Sequence, residues 1–590
     1  MKYSVVHRVL LGVVPALMGL GRAANADPAS ANSAVAPVAT ESAEARAAVA
    51  ALGSNDPAQR DAAIRRIIEL GADARRAVYE ASRGEDPELR ARAAELLLKL
   101  PWYLPDDSPN VRSLLIAYGQ MDVEKRKEVV FQLAELSGHG FEALQRLLVE
   151  EPSDDVKWAI VSTVRRNFND ATLQGFRKIE LDPESAPLLA AAGHAWLPND
   201  VEKGAKLLRQ ALTVDLDCPA NDGGEVEVAF DRLQNLALLN GHYDELGQLL
   251  RLRARRGATD EEGEPSKALL NLFGAHGKFG PLAGFDKDLQ TYQAQLGDPR
   301  ILFALGKVYE RTGRRALAAA TYRSAFLMDT VSIPQRFEAG DFLIRQGWLD
   351  LAEAEFAGVF DLSADHSGER RQMTPELDEA NAHFRLAQVA AAREDDFTAA
   401  EHMRQGMELH KKARGMLRGA TEQGIWQEIN WHYLRAAHKK GNVIEVQHRL
   451  DELGGTVPTN PDIANDMVPM LRETGREAEA KAFFDKVYQS MQDSADARSQ
   501  HPMPKNNIAW LCARCGERKE EALRLAEEAT RAMPDNAAFV DTLAEAHFQL
   551  GHFEEAAKLE ARVVRARPND RFLQIQLKRF QEAAAKNAGH

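Results

Sequence analysis

Small and aromatic residues recur along this sequence at an interval of 34 positions, the distance from Pro299 to Ile333. The unit that begins at Pro299 carries Leu305, Gly306, Tyr309, Gly313, Ala318, Tyr322 and Ala325. At the same offsets, the unit that begins at Ile333 carries Ala339, Gly340, Leu343, Gly347, Ala352, Phe356 and Val359. Small residues let two helices pack closely, and each helix pair leaves an apolar face that only its neighbour can cover. The interval therefore predicts an all-α array of stacked helical hairpins, a repeat solenoid.

The same frame returns further along the chain. It recurs from 427 to 461, with Gly441 and Gly475 at the turns, and again from 503 to 537. A unit near 380 has Asp395 near the turn glycine, and residues 186–298 hold three weaker units around Ala205, Gly241 and Gly277. In its period and offsets this region resembles the tetratricopeptide repeat (TPR) family. The resemblance implies a superhelix whose concave face is lined mainly by the first helix of each hairpin.

A shorter motif repeats in the first part of the chain. It reads Asp56-Pro57-Ala58-Gln59-Arg60, then Asp86-Pro87-Glu88-Leu89-Arg90, then Asp122-Val123-Glu124-Lys125-Arg126, with a degenerate copy at Asp154-Asp155-Val156-Lys157. Asp caps the free N–H groups at a helix start, and Pro fits the first helical position. The pattern predicts further helical hairpins and resembles HEAT-like repeats. Three prolines interrupt it in a loop at 101–110, where we expect Trp102 and Tyr103 to be exposed.

The first residues have the features of a secretory signal. Lys2 and Arg8 precede an apolar run over residues 9–20, and Ala24-Asn25-Ala26 has the form of a signal-peptidase site. The run is too short to span a bilayer, which needs about 20 apolar residues. We therefore expect cleavage after Ala26 and an exported protein, periplasmic or in the cell envelope, that is peripheral to the membrane at most. The formal charge of -14 argues against nucleic acid as a partner.

Signatures of catalysis are missing from the sequence. Gly274-Ala275-His276-Gly277-Lys278 lacks the first glycine of a phosphate loop, and Asp365 stands where a nucleophile elbow needs glycine. Cys512-Ala513-Arg514-Cys515 has the C-x-x-C spacing of redox or zinc sites, but no second cysteine pair completes a zinc site. A packing role for two small side chains at the end of a first helix explains this pair of cysteines better. Cys218 is a lone thiol. We expect no enzyme, no cofactor and no metal.

The TPR resemblance implies a partner-binding groove, and the family's concave offsets can be carried over residue by residue. Among the residues at these offsets, the candidate partner-binding residues are Arg300, Phe303, Lys307, Arg311, Phe337, Arg345, Phe384, Trp431, Arg435 and Lys439. An acidic protein thus collects basic and aromatic side chains on one projected surface. We expect them to bind an extended segment or helix of another polypeptide, and their charge favours an acidic one. The carboxylate clamp of chaperone-binding members is not supported, because Asp341 and Gln388 stand where Asn is required.

The predicted organisation has six parts. They are a signal peptide (1–26), a flexible linker (27–43), HEAT-like helical repeats (44–175), degenerate TPR-like repeats (186–298), a TPR array (299–570), and a C-terminal capping helix with its tail (571–590). The leading functional hypothesis is an exported scaffold for protein–protein interaction. A structural or self-assembling envelope component without a peptide ligand is the alternative, and a thiol or metal function at Cys512 and Cys515 is a third reading.

Overall fold

The structure, a computed structural model, describes residues 43–214, 224–257, 265–328, 332–365, 374–414, 419–455, 457–458, 460–496 and 501–588. The predicted signal peptide, nearly all of the predicted linker, and Cys218 lie outside these residues. Contacts divide the chain between Ala229 and Phe230 into two compact units. We call the described residues up to 229 the N-terminal unit and those from 230 onward the C-terminal unit. The sequence had placed no boundary here, since 186–298 was assigned to one set of repeats.

The N-terminal unit consists of short helices joined by tight turns. They are α1 (Ala43–Ala51), α2 (Pro57–Leu70), α3 (Ala72–Ala81), α4 (Pro87–Leu97), α5 (Pro109–Leu115), α6 (Val123–Glu135), α7 (Ser137–Glu150), α8 (Asp154–Arg166), α9 (Asp170–Arg177), α10 (Ala186–Trp196) and α11 (Val201–Val214). The boundary between the units falls within α12 (Glu225–Asn240).

Longer helices form the C-terminal unit after α12. They are α13 (Tyr243–Arg256), α14 (Lys267–Phe279), α15 (Phe285–Thr291), α16 (Pro299–Arg311), α17 (Arg315–Met328), α18 (Ile333–Gln346), α19 (Leu349–Asp365), α20 (Pro375–Ala392), α21 (Asp396–Arg414), α22 (Gly419–Lys439), α23 (Val443–Gly454), α24 (Asp462–Glu473), α25 (Glu477–Asp496), α26 (Pro502–Cys515), α27 (Lys519–Ala532), α28 (Ala537–Gln549), α29 (Phe553–Ala566) and α30 (Arg571–Ala588). The described residues contain no extended strand, so the predicted all-α class is confirmed. In this part of the chain, no helix has the length and apolar character needed to cross a bilayer.

Local capping explains where the helices of the N-terminal unit begin. The side chains of Asp56, Asp86 and Asp122 accept hydrogen bonds from main-chain N–H groups in the first turns of α2, α4 and α6, as predicted. In the degenerate fourth copy the N-cap residue is Ser153, and Asp154 is already helical. These helical hairpins are observed, whereas the HEAT-like assignment stays a prediction.

The expected exposure of Trp102 was wrong. Its indole is only 2% exposed, and the Arg75 guanidinium lies 4.2 Å from the ring centre. Arg75 donates to Glu150 at 2.7 and 2.9 Å and to the carbonyl of Pro101 at 3.1 Å. The loop is therefore held onto the unit by a buried cation, an interaction that proline content could not reveal.

Close helix packing follows from the glycines of the 34-residue frame. A Cβ atom on Gly306 would lie 2.2 Å from the Tyr322 ring, and one on Gly340 would lie 2.3 Å from the Phe356 ring. Only glycine leaves room for these rings between the two helices of each hairpin. Successive first helices also stack on one another, α14 on α16, α16 on α18 and α18 on α20, and likewise from α22 through α28.

The two ends of the C-terminal unit are in contact. Arg232 on α12 donates to Asp535, before α28, at 2.9 and 3.1 Å in a buried pair. Leu239, at the end of α12, is fully buried in one hydrophobic cluster with Val540 and Leu559 of the last hairpin. The array thus closes on itself within this unit.

Candidate functional site

The four aromatic residues projected onto the groove are buried. Phe303 is 0% exposed, Phe384 3%, Trp431 5% and Phe337 9%. The Trp431 indole N–H donates to Asp466 at 2.9 Å, and the Arg385 guanidinium lies 4.4 Å from the centre of the Phe337 ring. These rings pack between hairpins, so the accessible part of the projected surface is its basic residues.

The basic residues do not form one continuous surface. Arg300 pairs with Asp298 at 2.7 Å and lies 3.5 Å from Glu338. Arg345 is exposed and has no ion pair among the described residues. The other four line two separate cavities, Lys307 and Arg311 in the larger one and Arg435 and Lys439 in the smaller one.

The larger cavity, which we call the basic cavity, has a volume of about 570 Å³. It opens where the ends of α14 and α16 meet the α18–α19 turn, the end of α20 and the loop between α29 and α30. Its charged lining residues are four basic ones and two acidic ones, Lys278, Lys307, Arg311, Arg393, Glu310 and Asp350. Trp348, which is 6% exposed, and Asn569 also line the cavity.

Two of the four cations in the basic cavity are neutralised by the chain. Lys307 pairs with Glu310 at 2.9 Å, and Arg393 pairs with Asp350 at 2.6 Å. Lys278 and Arg311 have no ion pair among the described residues. Burial lowers the pKa of Lys278 to about 8; the nearby charge of Arg567 acts in the same direction, and that of Asp570 opposes it. The cavity therefore holds excess positive charge in an acidic protein.

The smaller cavity, of about 250 Å³, is electrostatically balanced. Arg435 pairs with Glu394 at 2.7 Å and lies 3.3 Å from Asp396, and Lys439 bonds Asp396 at 2.6 Å. Burial acts to raise the pKa of Asp396, but hydrogen bonding to His432 and the charge of Arg435 hold it below its ordinary value. Because these carboxylates already pair with the two cations, the smaller cavity has little positive charge left to bind an acidic ligand.

Glu394 takes the position of a turn glycine in the unit near 380. Its φ is 62°, in the left-handed region that glycine favours, as at Gly313 and Gly347. The sequence placed Asp395 near this turn. Such backbone geometry is costly for a non-glycine residue, and here it carries the carboxylate that pairs with Arg435 and Lys439.

The two cysteines of α26 are buried and free. Burial raises the pKa of Cys512 to about 12 and also raises the pKa of Cys515. Both lie in the hydrophobic cluster around Trp431, Leu471 and Phe484. Across the described part of the chain, no three His, Cys, Asp or Glu side chains come together in a metal-binding group. The environment favours a packing role, because a reactive thiol needs a lowered pKa and access.

Sequence projection missed Lys278, Arg393, Trp348 and Asn569. Lys278 lies in the weakly matching repeats, where no groove position was assigned, although its neighbour Gly277 had been singled out. Arg393 directly precedes the turn residue Glu394, and the projection counted positions within first helices only. Asn569 reaches the cavity from the far end of the unit, and the repeat offsets contain no signal for such a contact.

Comparison with known proteins gave one family match and several similar solved structures. A family model described as a tetratricopeptide repeat matches residues 518–579. No curated protein matches the sequence. Among solved structures, the chain is similar to the P58(IPK) TPR domain (13% identity, 79% of this chain and 99% of that one, TM-score 0.21) and to yeast Tom70 (13%, 79% and 95%, 0.28). It is also similar to the APC/C hetero-tetramer Cut9-Hcn1 (12%, 86% and 96%, 0.22).

The fold and the family match together define a class. The chain is an all-helical repeat protein with a tetratricopeptide repeat match in its last hairpins, and repeats of this kind support a scaffold for protein–protein interaction. The matched residues include the loop between α29 and α30 that reaches the basic cavity.

Proposed function

We propose that the protein is an exported interaction scaffold whose C-terminal unit binds an acidic segment of another polypeptide at the basic cavity. The observation that carries this proposal is the excess of cations in that cavity, with Lys278 and Arg311 unneutralised by the described chain. Export to the periplasm or envelope rests on the signal-like residues 1–26 alone. The protein acts by binding, without catalysis.

The chemistry of the cavity suits a carboxylate-bearing segment. Arg311 and Lys278 supply charge-assisted donors, and the half-buried Leu349 and Leu351 supply apolar contact beside them. The lining residues come from the ends of the first helices α14 and α16 and from the turn between α18 and α19. A volume of about 570 Å³ is in the usual range for a ligand site.

A blocked glutamate–alanine peptide, with neutral termini, tests the proposal against its glutamine–alanine analogue. We expect the wild-type protein to bind the glutamate peptide, and Arg311→Glu to weaken binding by about tenfold or more. Arg345→Glu is the matched control, since Arg345 is an exposed basic residue outside the cavity. Affinity should fall as salt rises, because exposed charges are screened over roughly 8 Å at physiological ionic strength. Equal affinity for both peptides would refute an acidic ligand.

One observation favours the second candidate, self-assembly without a peptide ligand. On α17, Leu317, Leu327 and Met328 are 45%, 70% and 50% exposed, and Leu317 and Met328 share one helix face. Exposed apolar side chains of this size favour association with another surface. Light scattering coupled to size-exclusion chromatography separates the candidates. A defined oligomer that is lost in Leu327→Glu, together with no peptide binding, would favour self-assembly.

A further inference from the structure

The segment that joins α29 to α30 contacts helices of the first half of the C-terminal unit. We call residues 565–571 the C-terminal strap; they comprise the end of α29, the loop and the first residue of α30. The Tyr243 hydroxyl donates to the carbonyl of Arg565 at 3.2 Å, and Arg565 donates to the carbonyl of Leu239 at 3.4 Å. Asn569 donates to the carbonyl of Gln346 at 2.9 Å, and Arg571 donates to the carbonyl of Arg393 at 3.1 Å. The strap therefore contacts the ends of α12, α18 and α20 and the start of α13.

Free main-chain carbonyls at the ends of these helices explain why the strap binds there. The last carbonyls of a helix have no partner within the helix, so side-chain donors from elsewhere can satisfy them. Asn569 and Arg571 each do this for a helix that belongs to a different hairpin. Gly347 has φ +73° and leaves the space that Asn569 fills, since a Cβ atom there would lie 2.6 Å from the Asn569 Cβ.

The strap also forms part of the basic cavity. Asn569 lines it, and the charges of Arg567 and Asp570 act on Lys278. The cations of the lining come from α14, α16 and the end of α20, in the first half of the unit. The cavity thus has its present walls only while the strap is in contact with that half.

Resting on the proposed function, we infer that the basic cavity is a composite site, and that binding of an acidic segment there and closure of the C-terminal unit stabilise each other. The strap supplies one wall of the site through Asn569, so the ligand binds the closed form more tightly than an open one. By linkage, a ligand that prefers the closed form must hold the array closed to the same extent. The Arg232–Asp535 pair and the Leu239 cluster maintain closure without lining the cavity.

The double variant Arg232→Met with Asp535→Leu tests this inference in the full chain. It removes both partners of the buried pair, so neither the Arg232 nor the Asp535 charge is left buried without the other. Hydrogen exchange in α12 and the strap reports closure, and titration with the blocked glutamate–alanine peptide reports binding. We expect faster exchange in both segments and peptide affinity reduced by about fivefold or more. In the wild type, the peptide should slow exchange in the strap and in α12.

Two further variants keep the test interpretable. Arg146→Met with Asp107→Leu removes a comparable, mostly buried pair from the N-terminal unit and should leave peptide affinity unchanged. Tyr243→Phe removes only the hydrogen bond to Arg565 and replaces the double variant if that variant unfolds. It should also speed hydrogen exchange in the strap and lower peptide affinity, but less than the double variant does. A variant with rapid strap exchange and wild-type affinity would overturn the coupling while leaving the proposed function intact. A wild-type protein that does not bind the peptide would overturn both.

Discussion

Gly347 and Asn569 are in direct contact, although they are far apart in the sequence of the C-terminal unit. The Asn569 amide donates to the carbonyl of Gln346, the residue before Gly347. Gly347 is also the turn glycine of its repeat, with φ +73°, and Gly313 holds the same position one repeat earlier with φ +78°. A Cβ atom on Gly313 would meet nothing within 4 Å of the described residues. Alanine variants at the two positions therefore distinguish the effect of backbone strain, which both share, from the effect of losing the Asn569 contact, which only Gly347 makes.

Gly347→Ala should cost more than Gly313→Ala. Alanine at a positive φ is strained by about 1 kcal/mol at either position, but only at Gly347 does the new methyl group meet Asn569. We expect both variants to lower the thermal midpoint, and only Gly347→Ala to accelerate hydrogen exchange in the strap. Equal exchange in the strap for the two variants would show that this contact does not hold it in place.

The His383–His402 pair predicts a loss of stability in mild acid. Their Nδ1 atoms lie 3.0 Å apart. Burial, with the charge of His402, lowers the pKa of His383 to about 4, and burial also lowers the pKa of His402 against the opposing charges of Glu353, Asp395 and Glu401. Between about pH 6.5 and 4 the unfolded chain therefore binds more protons than the folded one. The contribution of the neutral histidine pair to the free energy of unfolding should be fully present above about pH 6.5 and should fall toward pH 4. For His383 the loss is at most about 3 kcal/mol.

Thermal unfolding followed by circular dichroism between about pH 7 and pH 5 measures this loss. His383→Asn should flatten the dependence, because one of the two titrating rings is gone. His139→Asn is the control, since His139 is an exposed histidine of the N-terminal unit. A slope unchanged in His383→Asn would place the acid sensitivity elsewhere.

What the sequence could predict was local or periodic. The caps at Asp56, Asp86 and Asp122 depend on residues within the same turn, and the packing of Gly306 on Tyr322 repeats at a fixed offset, so both were predictable. Trp102 and the basic cavity depend on contacts between residues far apart in the chain. Arg75 contacts Glu150 and Trp102, and Asn569 contacts Gln346. No repeat in the sequence indicates either set of partners. Projection onto offsets therefore placed the basic side chains on helices but could not tell which carboxylates neutralise them.

Cys512 and Cys515 should be unreactive in the native protein. A thiol whose pKa is raised to about 12 by burial is almost wholly protonated near neutral pH, and the thiolate is the reactive form. We expect a thiol reagent to label neither residue until denaturant is added, in a Cys218→Ser background. Cys512→Ala with Cys515→Ala should leave peptide binding unchanged. Rapid labelling of the native protein, or stoichiometric zinc that the double variant loses, would instead support a thiol or metal function at Cys512 and Cys515.

The Arg75–Glu150 pair should contribute strongly to the stability of the N-terminal unit. Arg75 is 1% exposed, pairs with Glu150 at 2.7 Å, bonds the carbonyl of Leu97 at 3.2 Å and lies over the Trp102 ring. Arg75→Ala removes this cation and leaves the Glu150 carboxylate buried without it. Loss of one partner of a buried pair costs about 3 to 5 kcal/mol.

Its neighbour in sequence supplies the control for that prediction. Arg76 forms an exposed pair with Glu80 at 3.6 Å, and exposed pairs contribute about 0 to 1 kcal/mol. We expect Arg75→Ala to accelerate hydrogen exchange throughout α3, α4 and α7 and to increase Trp102 exposure to a fluorescence quencher, whereas Arg76→Ala should change neither. Arg75→Met with Glu150→Gln should recover part of the loss, because it restores volume and removes the unpaired charge. If Arg75→Ala and Arg76→Ala behave alike, the loop that carries Trp102 is held by its apolar contacts, such as that with Tyr118, rather than by the buried cation.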